Sequence, residues 1–274
     1  MKLDYQKILD TAVDAAYRAG KYLKETFAKR PKIEYKGKID LVTVRDRESQ
    51  EIIYKIIKEK FPGHSILGEE NLDIKKDKEL LWLIDPLDGT TNYAHMLPIF
   101  SVSIAFVEQG KTKAAAVYNP MLDEMFRAIK NSGAFLNKKK IEVSGEKDLH
   151  KSLLATGFPY DIRESKTNNI EYFKKFILEV QGIRRCGSAA IDLSYVAAGR
   201  FDGFWELKLS PWDTAAALLF VQEAGGEVTD FSGNPFDPFM KECLASNGLI
   251  HRQMLEIIDK GFSGHYSKSG PNKG

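Results

Sequence analysis

Apolar side chains recur at three- and four-residue steps through Ile8, Ala12, Ala15, Ala19, Leu23 and Phe27, and this stripe predicts an amphipathic helix over residues 8–27. A second helix is predicted over 48–61, carrying Ile52, Ile53, Ile56 and Ile57 and stopping against Pro62-Gly63. Residues 39–44 between them read as an extended connection. Leu80-Leu81-Trp82-Leu83-Ile84 is a short unbroken apolar run, as expected of a buried strand, and it ends at Asp85. Residues 101–107 and 113–118 flank Glu108-Gln109-Gly110 as a hairpin, and further strands follow at 124–129 and 133–136. The first half therefore predicts an antiparallel sheet flanked by two helices.

The pattern changes across the polar stretch 146–151, where a soft domain boundary falls. An N-terminal α+β domain is assigned to residues 1–147 and a C-terminal α/β domain to 148–274. Strands and helices alternate beyond the boundary. A strand is predicted at 153–156, a helix at 170–180, and a helix at 189–198 capped by Ser188. Phe204-Trp205-Glu206 follows as a strand, then a helix at 214–224 stopped by Gly225-Gly226. That rhythm is one of α and β layers. There is no internal repeat, and the tail 265–274 is polar and expected to fray.

Composition narrows the partners. The chain has 274 residues, 28% charged and 43% hydrophobic, which is ordinary for a globular protein able to bury its own core. Lys and Arg number 40 against 38 Asp and Glu, a net charge of +2, so no global field draws nucleic acid or a membrane and a small-molecule partner fits better. The N-terminus lacks the apolar core of a signal peptide, and no apolar run approaches the roughly 20 residues that span a bilayer; a cytoplasmic location is expected. Cys186 and Cys243 sit in apolar surroundings and are read as free thiols. The histidines at 64, 95, 150, 251 and 265 show no metal-ligand spacing.

Candidate chemistry lies in carboxylates near element ends: Asp46, Glu69-Glu70, Asp85 with Asp88, and Asp213. Taken singly each has a plain structural explanation, Asp46 as a helix cap and Glu69-Glu70 as a solvated pair. The run Asp85-Pro86-Leu87-Asp88-Gly89-Thr90-Thr91-Asn92 is harder to explain that way. Asp85 follows a strand too apolar to be solvated, and Asp88 lies three residues on. Carboxylates so close repel unless a cation sits between them. Hard oxygen donors suit Mg²⁺, which keeps waters and is shared with a substrate phosphate. Gly89-Thr90-Thr91 adds a flexible turn, hydroxyls and backbone N–H groups able to cradle an anion. A bare Asp-Gly turn between strands is the alternative.

These residues resemble the inositol monophosphatase family over most of the chain. Gly68-Glu69-Glu70 matches its Gly-Glu-Glu, Asp85 to Asn92 its metal motif, and Arg185-Cys186-Gly187-Ser188-Ala189-Ala190 its Gly-Ser/Thr-Ala-Ala element. Pro211-Trp212-Asp213-Thr214-Ala215-Ala216 with Glu223-Ala224-Gly225-Gly226 matches its C-terminal signature. The Asp-Pro-Leu-Asp-Gly-Thr run is shared by a superfamily of lithium-sensitive, magnesium-dependent phosphatases. The resemblance implies a layered αβαβα sandwich of the inositol monophosphatase and fructose-1,6-bisphosphatase type, acting as a homodimer. It implies that Glu69, Asp85 and the Leu87 carbonyl hold one Mg²⁺, that Asp85, Asp88 and Asp213 hold a second, and that a weaker third ion leans on Glu69.

By the same resemblance Asp46 and Thr90 polarise an attacking water, with direct in-line hydrolysis and no phosphoenzyme. Substrate is implied at Asp88, Gly89, Thr90, Gly187, Ser188, Ala189, Glu206 and Asp213, with Glu206 setting specificity. A solvent-facing Glu206 beside Trp205 is the alternative. Lys36 matches a family lysine, although a lysine in a Lys-rich loop is usually surface. Inositol 1-phosphate ranks first as substrate, ahead of fructose 1,6-bisphosphate, NADP and 3′-phosphonucleotides. A reading from another class is a non-catalytic protein acting with RNA or the transcription machinery. One departure from the family is Asn137-Lys138-Lys139, where Asn-Gly is common. Residues 159–169 are expected to border the substrate mouth.

Overall fold

The structure, a computed structural model, describes residues 3–28, 33–35, 41–70, 79–235 and 237–259. Residues 36–40, Lys36 among them, and the tail 265–274 lie outside the described residues. α1 (Tyr5–Thr26) begins at Asp4, whose carboxylate accepts the N–H groups of Gln6 and Lys7 at 3.0 and 3.1 Å. β1 (Ile33–Tyr35) pairs antiparallel with β2 (Leu41–Thr43). α2 (Val44–Lys60) starts at Val44 rather than at the predicted Glu48, because Thr43 and Asp46 form a capping box that fixes its first turn.

The next strands are β3 (Ser65–Gly68), β4 (Leu80–Asp88), β5 (Ser101–Glu108), β6 (Lys111–Asn119), β7 (Glu124–Ile129), β8 (Ala134–Leu136) and β9 (Lys139–Ile141), with a short α3 (Thr90–Ala94) between β4 and β5. They form a seven-stranded sheet in sequence order, with β3 parallel to β4 and every other pair antiparallel. The predicted β5–β6 hairpin is present. Gln109 and Gly110 both take positive φ, 50° and 75°, the backbone of a type I′ turn that matches the strand twist. At the β8–β9 turn Asn137 takes φ 53° and Lys138 does not need it, so the Lys where the family has Gly is accommodated.

The second half supplies β10 (Leu153–Thr156), α4 (Ile170–Glu179), β11 (Gly182–Arg184), α5 (Ala189–Ala197), β12 (Gly203–Leu207), α6 (Pro211–Glu223), β13 (Glu227–Thr229), β14 (Glu242–Ser246) and α7 (His251–Asp259). Its five-stranded sheet runs β11-β10-β12-β14-β13, parallel among the first three strands and antiparallel beyond. α6 begins at Pro211, a residue suited to a first helical turn, three residues before the predicted start at Thr214.

Packing arranges these pieces as αβαβα layers. α1 and α2 cover one face of the large sheet, with Ile8, Leu23, Ile53, Trp82, Ile84 and Phe106 in one buried cluster. α5 and α6 lie between the two sheets, where Leu81, Leu83, Ala115, Leu193, Leu219, Phe220 and Ala245 share another. α4 and α7 cover the outer face of the small sheet with Phe176, Trp205 and Met254. α6 is buried through Thr214–Val221 on all sides, which explains why its sequence is apolar all round rather than striped. The middle cluster draws residues from both halves of the chain. Among the described residues no helix is long and apolar enough to cross a membrane. Cys186 and Cys243 are free.

Candidate active site

β4 does not stop at Asp85 but carries through to Asp88. The residues opposite on β5 are Ser103 for Asp85 and Ser101 for Asp88, so β4 holds one more residue than its partner and bulges there. The bulge explains the placement of two carboxylates. Leu81 and Leu83 face the α5–α6 layer while Trp82 and Ile84 face α1 and α2. Strict alternation would put Asp85 and Asp88 on opposite faces. The extra residue turns Leu87 into the α1–α2 core and returns Asp88 to the side of Asp85, facing α5. Pro86 at the bulge has no N–H to leave unpaired, and its carbonyl accepts the Ser49 hydroxyl at 2.7 Å.

Each carboxylate is held by local structure. Asp85 Oδ1 accepts the Leu87 N–H at 3.0 Å. Asp88 Oδ2 accepts the Ser188 hydroxyl at 2.6 Å and the Ala190 N–H at 2.8 Å, at the start of α5. Asp213, in the first turn of α6, accepts the Ser210 N–H at 2.7 Å. Glu69 follows the last residue of β3, its N–H bonded to the Ile84 carbonyl at 3.3 Å. Gly89 then turns the chain into α3 with φ 99°, and a Cβ there would press on the Ile99 and Gly187 carbonyls at 3.0 and 3.2 Å. Asn92 donates to the carbonyls of Ile99 and Cys186, both at 2.7 Å, which fastens the Gly187 loop against α3.

Asp46 is fully buried and does double service. Its Oδ2 accepts the Thr43 N–H at 2.7 Å and the Thr43 hydroxyl at 2.6 Å, and its Oδ1 accepts the Thr90 hydroxyl at 3.0 Å. That hydroxyl also lies 3.0 Å from the Leu87 carbonyl.

These elements enclose a cavity of about 330 Å³ between the two halves of the chain. Glu69, Asp85, Leu87, Asp88, Gly89, Thr90, Gly187, Ser188, Ala189, Glu206 and Asp213 all line it. Of the residues to which the resemblance gives a catalytic, metal-binding or substrate role, Asp46 is the one outside the wall, and it meets the cavity through Thr90. Glu206 is buried rather than facing solvent, at 9% exposure. Its carboxylate lies so close to Gly157 that a Cβ on Gly157 would overlap it. Gly157 is in turn fixed by Asn169, whose Nδ2 donates to the carbonyl of Gly157 at 2.6 Å and whose Oδ1 accepts the indole N–H of Trp205 at 2.7 Å.

Several wall residues were given no individual role in the sequence: Gly157, Arg185, Asp192, Lys208 and Tyr160. From the stretch 159–169 Tyr160 lines the cavity, and Lys208 Nζ holds Asp161 at 2.6 Å and the Ser165 hydroxyl at 2.7 Å.

The electrostatics are those of crowded, desolvated acids. Burial pushes the Asp85 carboxyl well up, reinforced by Glu69, Asp88 and Asp213. Burial raises Asp88 to about 6 against the hydrogen bonds from Ser188 and Ala190. Asp213 and Glu206 are likewise raised, by burial first and then by acidic neighbours. Asp46 is raised by burial, with its Thr43 and Thr90 hydrogen bonds pulling the other way. Such a wall of oxygen donors suits a hard divalent cation. Among the described residues no three His, Cys, Asp or Glu groups are already drawn round a single point, so the carboxylates share a cavity rather than a closed cage.

The family model for the inositol monophosphatase family matches residues 4–261. The inositol-1-monophosphatase of Synechocystis is 44% identical over 93% of this chain and 90% of its own length. The Nus factor SuhB of Escherichia coli is 41% identical over 90% of this chain and 94% of its own. Among solved structures, the inositol monophosphatase from Anabaena superposes with a TM-score of 0.87 at 41% identity, covering 94% of this chain and 97% of that one. The extragenic suppressor protein suhB from Bartonella henselae superposes with a TM-score of 0.88 at 40% identity, covering 93% and 99%. Motifs, layered fold and whole-length similarity agree, and the chain belongs to the inositol monophosphatase family.

Proposed function

We propose that the protein is a Mg²⁺-dependent phosphatase of small phosphate monoesters, with inositol 1-phosphate ranked first. The observation that carries this reading is the single cavity onto which Glu69, Asp85, Asp88, Asp213 and Thr90 all open. Glu69, Asp85 and the Leu87 carbonyl would hold one Mg²⁺, and Asp85, Asp88 and Asp213 a second. When bound, the ions supply charge neutralisation of the phosphate and a water made more acidic, the two things in-line hydrolysis needs.

The side chains do the rest. Thr90 lines the cavity and its hydroxyl donates to Asp46, so it can take a proton from the attacking water as it passes its own to Asp46. Burial makes Asp46 a better proton acceptor than an exposed aspartate. Ser188 and the Ala190 N–H hold Asp88 in one rotamer. Glu206 faces the space left for the alcohol half.

Hydrolysis of inositol 1-phosphate, fructose 1,6-bisphosphate, NADP and 3′-phosphoadenosine phosphate under Mg²⁺ tests the reading. The highest kcat/KM is expected for inositol 1-phosphate; equal or greater turnover of the bisphosphate reverses the ranking, and hydrolysis of none refutes it. Similarity to proteins named Nus factor SuhB favours a second reading, a role in transcription. The complete set of carboxylates supports catalysis, which a scaffold would not require.

Gly157 gives a further test. Gly157→Ala forces the Glu206 carboxylate out of place, and the KM for inositol 1-phosphate is expected to rise roughly tenfold, the scale of one lost charged hydrogen bond. Steady-state kinetics beside p-nitrophenyl phosphate, which has no ring hydroxyls, read the change. An equal rise for both substrates would mean that Glu206 does not recognise the alcohol.

A further inference from the structure

The buried face of α2 changes character along its length. Ile53, Ile56 and Ile57 fill its later turns, as an amphipathic helix requires, but Asp46, Ser49 and Gln50 occupy the same face near its start and are buried as well. Each of the three reaches a different piece of the cavity's construction. Asp46 accepts from Thr90, Ser49 donates to the Pro86 carbonyl between Asp85 and Leu87, and Gln50 meets Glu70. The proton relay uses Asp46 and the β4 bulge uses Ser49. Gln50 serves neither.

The Gln50 amide makes two hydrogen bonds to the backbone of one residue. Its Nε2 donates to the Glu70 carbonyl at 2.9 Å, and its Oε1 accepts the Glu70 N–H at 3.2 Å. A neighbouring strand would offer the same exchange; here a side chain supplies it. β3 is the edge of the large sheet, paired with β4 on one side, and its ladder ends with Gly68 opposite Ile84. The Glu69 N–H still reaches the Ile84 carbonyl at 3.3 Å. One residue on, Gln50 takes both backbone groups of Glu70, so the backbone that carries Glu69 is pinned to β4 before it and to α2 after it. Gly68 makes room for this clasp, because a Cβ there would lie 2.7 Å from Gln50 Oε1. Such a hold matters at this position. Glu69 acts as a like charge on Asp85 and on Asp213, so repulsion drives it away from the acids it has to join. Gln50 itself is 6% exposed and lies behind the cavity wall, whereas Glu69 is in it.

We propose that Gln50 is a positioning residue for the Mg²⁺ site, whose amide, by clasping both backbone groups of Glu70, keeps the Glu69 carboxylate on the wall it shares with Asp85, Asp88 and Asp213. This rests on the reading of the cavity as that of a Mg²⁺-dependent phosphatase. One helix face then sets three parts of the site in register: the proton relay through Asp46, the β4 bulge through Ser49, and the Glu69 ligand through Gln50.

The test follows Mg²⁺ binding by the full chain in two ways, as the Mg²⁺-induced rise in Tm and as the Mg²⁺ concentration that gives half the maximal rate on inositol 1-phosphate. Gln50→Met, of similar length but without the amide, is expected to raise both midpoints about tenfold, the scale on which residues that orient a ligand act on metal affinity. Gln50→Glu keeps an acceptor for the Glu70 N–H and loses the donor to its carbonyl, and a rise of about threefold is expected. A merely structural glutamine would lower Tm in EDTA and leave both midpoints in place, and that result overturns the proposal. So does a Gln50→Met that cannot fold beside a Gln50→Glu with wild-type midpoints. The route through Glu69 is read in a second background. In Glu69→Gln, where Asp85, Asp88 and Asp213 remain to take an ion, adding Gln50→Met should move the Tm midpoint by less than about twofold; the full shift there would mean that Gln50 acts without Glu69, and overturns the assignment. A wild type whose Tm and rate both ignore Mg²⁺ refutes the phosphatase reading and this proposal with it; a wild type that responds, with variants that respond alike, refutes the role of Gln50 alone.

Discussion

Asp85→Asn is expected to lower phosphatase kcat by at least about a thousandfold while the protein stays folded, since Lewis-acid stabilisation of a phosphoryl transfer is worth several kcal/mol. The amide is the same size as the acid, and its oxygen can still accept the Leu87 N–H that Asp85 Oδ1 accepts now. What it loses is charge. Without Mg²⁺ that loss relieves repulsion, because Glu69, Asp88 and Asp213 all push the Asp85 carboxyl towards its neutral form. The variant should therefore melt at or above the wild-type Tm in EDTA. With Mg²⁺ the order reverses. An ion that binds only the native state stabilises it by RT ln(1 + [Mg²⁺]/Kd), about 2.7 kcal/mol at a hundredfold excess over Kd, and a wall short of one charge forfeits most of that gain. Two melting curves for each protein, with Mg²⁺ and with EDTA, together with one activity assay, decide the matter. Unaltered turnover in Asp85→Asn, or equal Mg²⁺ shifts in both proteins, would remove Asp85 from the metal site.

How much of this could be read in the chain depends on the distance over which each feature is encoded. Asp85 to Asn92 was legible because its chemistry is local: an apolar strand runs straight into two acids, a glycine and hydroxyls. The reason both acids face the same way was not. It lies in a bulge defined by Ser101 and Ser103 on the neighbouring strand, and no property of β4 alone records which residue its partner omits. α1, α4, α5 and the β5–β6 hairpin announced themselves through period and turn chemistry. β3, β11, β13 and β14 did not, being three to five residues long and fixed by pairing with strands far away in sequence.

The wall residues follow the same division. Asp213 was found as a carboxylate near an element end, Glu206 through family resemblance, and Ser188 through its capping position. Gly157 reads as an ordinary loop glycine until Glu206 is seen lying against it. Asp192 reads as a polar position on a helix, and only the layer in which α5 is buried shows that it has no solvent to face. The large sheet is built from residues before 142 and the small one from residues after 152, yet the acids from Glu69 to Asp213 meet because α5 and α6 are packed against both sheets. The site is thus a product of the middle layer, which no local pattern describes.

Thr90→Val isolates the proton path from the metal site. The substitution keeps the size of a buried side chain and deletes one hydroxyl, the group that donates to Asp46 Oδ1 at 3.0 Å and is the cavity's link to that carboxylate. If Thr90 relays a proton to Asp46, kcat should fall by about 10²- to 10⁴-fold, the usual worth of a positioned general base, with KM nearly unchanged and the Mg²⁺-induced rise in Tm preserved. Some stability is lost, on the order of 1–3 kcal/mol, because Asp46 Oδ1 loses its donor inside the protein. Thr90→Ser restores the hydroxyl and should recover most of the rate, which separates chemistry from packing. Asp46→Asn should match Thr90→Val in kcat, and the double variant should be no slower than either single one, since groups acting in series are not additive. Independent, multiplying losses would mean that Asp46 only caps α2 and that Thr90 acts without it. A Thr90→Val protein retaining wild-type kcat would require the attacking water to give its proton elsewhere, and Thr90 would then be no more than a strut between Leu87 and Asp46.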